Sequence, residues 1–403
     1  MRILALNAGS SSLKFRVADA TGSATTVLAG GAVEGIGSEP VLWTERDGTR
    51  STPAPVEAAT PGAAAEPVLS WLADQGIFDA TVGGAVGFRI VHGGDRFTEP
   101  TVLGEAALDA IGDLRELAPL HNGPALDVVD EVKDRLPDLP LVAVFDTDFH
   151  RTMPPSARVY AIPTDLAEAH GLHRFGFHGL AHRSMAEQHA ALTGRADHKL
   201  VTLQLGNGCS AAAIDAGRSI ETSMGLTPTE GLVMGTRSGD VDPTLVVHLA
   251  ERADLSVAEA AGILDRRSGL AGLSGIGADM KHLLDQAHQV DDADRPAAQL
   301  AIEVFCRRAT HYVGAYLALL GGADAVVFGG GIGERSSEIR RRICEPLRWA
   351  GLALDGDRND TAAGDAPERI SADGASLEAW VVPVDEEAVI VDDTRRVLEP
   401  TTS

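Results

Sequence analysis

A guanidinium in the middle of an apolar run, as Arg89 is in Ala85 to His92 (AVGFRIVH), must meet an anion or a carboxylate, because burying it unpaired costs several kcal/mol. A structural salt bridge and an anion site both satisfy that demand. Arg237 stands in a glycine-rich loop, Ser223 to Pro243 (SMGLTPTEGLVMGTRSGDVDP), the sort of place from which a cation reaches substrate. His121 lies in the polar break Ala118 to Pro124, and His178 in the Gly/His-rich passage His170 to His182 (HGLHRFGFHGLAH). Asp146 closes the strand-like run Pro137 to Phe145, and Glu386 follows a second one, Trp380 to Val384. Carboxylates at strand ends of an α/β sheet are where ligands and their metal ions sit. No Ser-His-Asp or Cys-His arrangement accompanies them. The inventory suits phosphoryl transfer, in which cations and N–H donors hold a metaphosphate-like group while carboxylates hold hydrated Mg²⁺.

Three small-residue turns are placed to position these groups. In MRILALNAGSSSLKF, Ile3 to Leu6 read as a strand, Asn7 to Ser12 carry little bulk, and Leu13 to Phe15 resume the strand. Backbone N–H groups, hydroxyls, the Asn7 amide and Lys14 make this either a phosphate-holding hairpin or only a β-turn. The pattern recurs: Leu200 to Leu205 form a strand, Gly206 to Ser210 a turn, and Ala211 to Ile214 the return. One such unit opening each half implies a duplicated domain. In the third turn, AVVFGGGIGE (Ala325 to Glu334), a buried strand meets glycines and a helix from about Ser336, which Pro346 should kink or end. It is neither a complete GxGxxG nor a Walker A loop, which counts against dehydrogenase and P-loop readings. Helices are expected from Val68, over Glu105 to Glu116, Ala125 to Leu136, Ser184 to Leu192 and Ala388 to Leu398; residues Ser38 to Pro67 read as surface hairpin and loop.

The 403-residue length predicts about two domains, and a hydrophobic content of 44% a folded globular chain. With 34 Lys+Arg against 58 Asp+Glu, a net charge of -24, partnership with nucleic acid or an anionic membrane is not expected. Three cysteines without a CxxC pair suggest neither disulfides nor zinc, and no leader or membrane span is read, so a reducing cytoplasm is the expected location.

The segments NAGSSSLKF, FRIVHGGDRF, LAPLHN, FDTDFH, FGFHG, LGNGCS, ETSMGLTPTEGLVMGTRSGDVDP, VVFGGGIGE and the late P-x-D-E-E resemble the acetate kinase family, in the right order over essentially the whole chain. The resemblance implies an α/β fold with a duplicated actin-like (ribonuclease H-like) ATPase core, two domains with a central cleft, and a homodimer. The domains would be 1–149, completed by a C-terminal helix 386–403, and 150–385, the nucleotide-binding one. It implies reversible transfer of the γ-phosphoryl of ATP to acetate, giving acetyl phosphate and ADP, with Mg²⁺ or Mn²⁺; a propionate or other short-chain acyl kinase is the alternative. Arg237, His178, Asp146, Asn7 and Arg89 match the family's catalytic groups, with the two arginines gripping acetate carboxylate and phosphoryl oxygens and His121 supporting His178. Ser10, Ser12, Lys14, Asn207, Gly208, Gly331 and Ile332 match its phosphate and nucleotide contacts, Asn7 and Glu386 its metal site, and Val91, Leu120, Phe177 and Pro228 its acyl pocket. Asp148, Leu180, Ala181, Cys209, Gly123 and Arg335 depart from the usual pattern, none of them removing a charged catalytic group. A sugar kinase of the same superfold would need a carboxylate base aimed at a hydroxyl, and an Hsp70-like protein a partner-binding region; no spare domain exists for the latter.

Overall fold

The computed structural model of the chain describes residues 1–9, 11–21, 25–82, 84–114, 122–289 and 293–399. It divides into two units, Met1–Asp148 with Asp385–Ser403, and Phe149–Val384. Among the described residues no helix is long and apolar enough to cross a membrane.

In the first unit β1 (Arg2–Ala8) and β2 (Ser12–Asp19) form the opening hairpin, Asn7 lying opposite Lys14, and the Gly9 N–H donates to the Ser12 carbonyl at 2.8 Å. The sheet continues through β3 (Thr26–Glu34) and β4 (Val41–Arg46), with the short β5 (Thr49–Arg50) and β6 (Ala54–Pro55) pairing on β4. On the other side of β1 come β7 (Ala85–Ile90), β9 (Leu141–Phe145) and β8 (Thr101–Val102), and β1, β7 and β9 are parallel. Side chains alternate between faces. Leu4, Leu6, Leu13, Phe15, Phe88 and Ile90 enter one core with helices Pro61–Asp74 and Asn122–Arg135. The opposite face carries Ala5, Asn7, Gly87 and Arg89 and receives the terminal helix Glu386–Leu398, which packs on β1, β7 and β9. A Cβ on Gly87 would lie 2.2 Å from Thr394 Oγ1, so glycine here lets that helix settle onto the strands.

Helix Pro61–Asp74 begins within the stretch read from sequence as loop. The Thr60 side chain accepts from the Ala63 N–H at 3.2 Å and Pro61 takes the first turn, a start signal strong enough to carry the interior Pro67.

The second unit holds β10 (Lys199–Leu205), β11 (Cys209–Asp215), β12 (Arg218–Thr222), β13 (Ala325–Gly329), β14 (Glu368–Arg369) and β15 (Glu378–Val381), ordered β12-β11-β10-β13-β15-β14. The run β12-β11-β10-β13-β15 has the order and strand directions of β3-β2-β1-β7-β9. This is the duplicated core that the repeated hairpin implies. Helix Gly179–Thr193 packs Met185 and Ala186 against Leu200, Ala212, Ala325 and Val327, while the long helix Arg295–Leu320 lies on β10 and β11. Helix Ser337–Cys344 gives way to a 3₁₀ turn, Glu345–Ala350, at Pro346, as that residue's missing N–H requires.

Candidate active site

In the first unit the C-terminal ends of three parallel strands bring Asn7, Arg89 and Asp146 together on the face covered by the terminal helix. Asp146 is fully buried. Arg89 Nε donates to both of its oxygens at 3.1 Å and Nη2 to Oδ2 at 2.5 Å. Arg89 Nη1 donates to Asn7 Oδ1 at 3.3 Å, and Asn7 Nδ2 donates in turn to Glu386 Oε2 at 2.7 Å and Glu387 Oε1 at 2.9 Å. Those two carboxylates reach the site because Asp385 caps the terminal helix, accepting from the Ala388 N–H at 2.9 Å while Arg16 donates to its carboxylate. Burial works against the Arg89 charge, but Asp146 and Glu386 outweigh it and hold the guanidinium firmly protonated.

The second unit gathers His178, Arg237 and the turn Gly206 to Ser210. A Cβ on Gly208 would lie 3.2 and 3.3 Å from the His178 ring atoms Cε1 and Nε2 and 3.6 Å from Arg237 Nη1, so both side chains flank this glycine. Arg237 is poorly compensated: Nη1 donates to the Pro228 carbonyl at 3.3 Å, and Asp265 stands 3.5 Å from Nε. Burial lowers its pKa, and the pull of Asp265 offsets that only in part. Among the described residues Asp265 is the one carboxylate paired with this guanidinium. His178, at φ 57°, stands at the start of helix Gly179–Thr193 with Nδ1 2.9 Å from Ser210 Oγ. Behind it, His182 bridges Ser210 Oγ and Thr202 Oγ1, both at 2.8 Å, and His150 Nε2 meets the Phe177 carbonyl at 3.0 Å. Cys209 donates to the Gly206 carbonyl at 3.2 Å, and burial pushes its thiol up to about 12, so it closes the turn and supplies no thiolate.

Other expected site residues fall as follows. Val91 and Phe177 are buried, Pro228 partly so, Lys14 and Asn207 are exposed, and Ser12 and Ile332 half-buried. A Cβ on Gly331 would meet nothing within 4 Å, leaving open space at the start of helix Gly330–Arg335. Ser10, Leu120 and His121 lie outside the described residues. Of the departures, Leu180 and Ala181 are buried in the helix that begins beside His178, and Arg335 is exposed. Sequence reasoning did not single out Glu387, Ser210, His182 or His150 as site residues. Glu387 adjoins Glu386 in the acidic strand end, Ser210 closes the LGNGCS turn, and His182 ends the His-rich passage; those were the available signals.

Among the described residues no group of three or more His, Cys, Asp or Glu side chains forms a metal cage. Mg²⁺ keeps several waters and takes one or two carboxylates plus substrate phosphates, and Glu386 and Glu387, gathered on one amide, fit that donor set.

Two outcomes follow from this geometry. Asp146→Ala removes the main counter-charge of Arg89 and should cost about 3 kcal/mol in urea unfolding; a loss below about 1 kcal/mol would show that Glu386 alone suffices. Burial lowers His150 to about 4 and His182 well below its usual value. In the unfolded chain both protonate near 6.5, so the unfolded state binds more protons below that pH. Stability should therefore decline as pH falls through 6.5 towards 4, by about 2 kcal/mol at pH 5 from His150, with His182 adding in the same direction; a urea midpoint unchanged between pH 7.5 and 5 would contradict the buried neutral rings.

A sequence profile described as the Acetokinase family matches residues 2–392. The chain is 45% identical over 414 residues to a protein named acetate kinase from Solibacter usitatus, covering 99% of this chain and 98% of that one. It is 44% identical to the acetate kinase of Clavibacter sepedonicus, covering 96% and 97%. Among solved structures it resembles acetate kinase from Porphyromonas gingivalis (TM-score 0.86, 34% identity, 98% and 99% covered) and a propionate kinase from Francisella tularensis (TM-score 0.87, 34% identity, 97% and 98% covered).

Proposed function

The chain belongs to the acetokinase family, and from that premise we propose that it transfers the γ-phosphoryl of ATP reversibly to acetate, giving acetyl phosphate and ADP. The observation that carries this reading is Arg237, a largely buried guanidinium short of counter-charge and set with His178 over one glycine. Such a pair suits the charge that spreads over the oxygens of a transferring phosphoryl group. Acetate is ionised at neutral pH, so one carboxylate oxygen forms the new bond to phosphorus, the β–γ bridging oxygen departs with ADP, and no proton has to move. Arg89, already balanced by Asp146, holds the acetate carboxylate. Asn207, Gly208, Gly331 and Ile332 take the nucleotide, and the hairpin residues Ser12 and Lys14 its phosphate side. Glu386 and Glu387, with Asn7, would hold hydrated Mg²⁺ or Mn²⁺, which when bound screens the phosphate oxygens. A cytoplasmic homodimer completes the reading.

Val91, Phe177 and Pro228 would set acyl-chain selectivity. One methylene changes it by only about 1–3 kcal/mol, and the likeness to a propionate kinase supports propionate as the second substrate.

Hydroxylamine trapping of the product tests the reading. Hydroxamate should form with acetate and ATP and fall off through propionate to butyrate; no hydroxamate with any short acyl acceptor would overturn it. Arg237→Ala should lower turnover by roughly 10³-fold or more with little change in the unfolding midpoint, and near-normal turnover would remove Arg237 from the transition state.

A further inference from the structure

The buried chain Thr202, His182, Ser210, His178 in the second unit has a direction. Thr202 Oγ1 lies on β10, fully buried, and His182 Nδ1 at 2.8 Å is its one hydrogen-bond partner among the described residues. A hydroxyl hydrogen has to go somewhere: leaving it buried without an acceptor is disfavoured on the order of ten- to a hundredfold. Thr202 must therefore donate to His182 Nδ1. His182 is kept neutral by burial, with His150 and His178 adding to the effect, so its single proton sits on Nε2. That N–H donates to Ser210 Oγ at 2.8 Å. Ser210, fully buried and hydrogen-bonded through its hydroxyl to these two rings, then has His178 Nδ1 at 2.9 Å as the acceptor for its own hydrogen. An Nδ1 that accepts carries no proton, so the neutral His178 ring is protonated at Nε2. This is the edge that flanks Gly208 beside Arg237.

We propose that Thr202, acting through His182 and Ser210, is a positioning residue that fixes the Nε2–H tautomer of His178, so that the ring offers an N–H donor on its Gly208 side. The catalytic consequence rests on the reading of His178 as a group that stabilises the transferring phosphoryl. The opposite polarity would run His178 Nδ1–H to Ser210, Ser210 to His182 and His182 to Thr202; it strands the Thr202 hydrogen and turns the Nε2 of His178 from a donor into an acceptor. His150 supports the arrangement from the side: its Nε2–H donates to the carbonyl of Phe177, the residue before His178, and its Nδ1 meets Ser219 Oγ at 2.8 Å.

The test reads the tautomer directly, by long-range ¹H–¹⁵N correlation on protein labelled in its histidines, with the His178 signals identified by their loss in His178→Gln. Wild type should show His178 protonated at Nε2. Thr202→Val, which keeps the shape and removes the hydroxyl, should give mixed tautomers at His178 and a kcat roughly three- to tenfold lower with KM for acetate and ATP unchanged; Thr202→Ser should restore both. Ser210→Ala breaks the same chain one link later and should give the same mixture, which keeps the test open if the threonine variant folds poorly. A wild-type His178 protonated at Nδ1, or variants that retain the Nε2–H tautomer and wild-type kcat, would overturn the proposal. A wild type that shows the expected tautomer but makes no acetyl phosphate would overturn the functional reading instead.

Discussion

The first unit is organised by one ion pair, Arg89 with the fully buried carboxylate of Asp146. Taking both charges out of water is costly, and the pair is tolerable because its geometry is close and the guanidinium makes a further hydrogen bond to Asn7. Two neighbouring parallel strands supply the partners, β7 carrying Arg89 near its end and Asp146 following directly on β9. The remaining guanidinium nitrogen reaches Asn7 on β1. Asn7 then spends its two N–H donors on Glu386 and Glu387, so the final helix is joined to the first strand through a single amide. The chain must return to its own beginning for that network to close, which gives a physical reason why residues from Asp385 onwards group with Met1–Asp148.

The two arginines singled out by the sequence thus play opposite electrostatic parts. Arg89 is surrounded by carboxylates and its charge is met by the protein. Among the described residues Asp265 is the one carboxylate paired with the desolvated Arg237, and its neighbour His178 is hydrogen-bonded into a run of rings and hydroxyls that add no negative charge. A chain with a net charge of -24 has carboxylates to spare, so their scarcity around Arg237 is a local property of this site.

Much of this was legible beforehand where one residue's chemistry left few options. An arginine in an apolar strand had to find an anion, but that the anion is Asp146 emerged only from the pairing of β7 with β9. The two hairpins were legible because small residues between two apolar runs have little else to do, and their matching place in each half announced the repeated strand order. The helices between Leu245 and Leu320 escaped attention. The buried stripe Ala298, Ile302, Phe305, Ala309, Val313 and Tyr316 runs at helical spacing, but in a segment with no chemical motif to draw the eye. The chain behind His178 was hidden for a different reason: Thr202, Ser210 and His182 come from two strands and a helix, and only tertiary packing lines up their polar atoms. Glu387 was passed over because sequence alone does not say that two adjacent carboxylates at a helix start both turn towards one amide.

The central claim is that phosphoryl passes directly from nucleotide to acetate, with arginines and histidine balancing charge and with Glu386 and Glu387, hydrogen-bonded to the Asn7 amide, acting as metal-holding carboxylates and not as nucleophiles. A γ-phosphoryl made chiral with oxygen isotopes tests this most directly. Single turnover to acetate should invert the configuration at phosphorus. Retention would mean that a side chain, with those carboxylates the first suspects, had carried the phosphoryl group in between, and the account would fail.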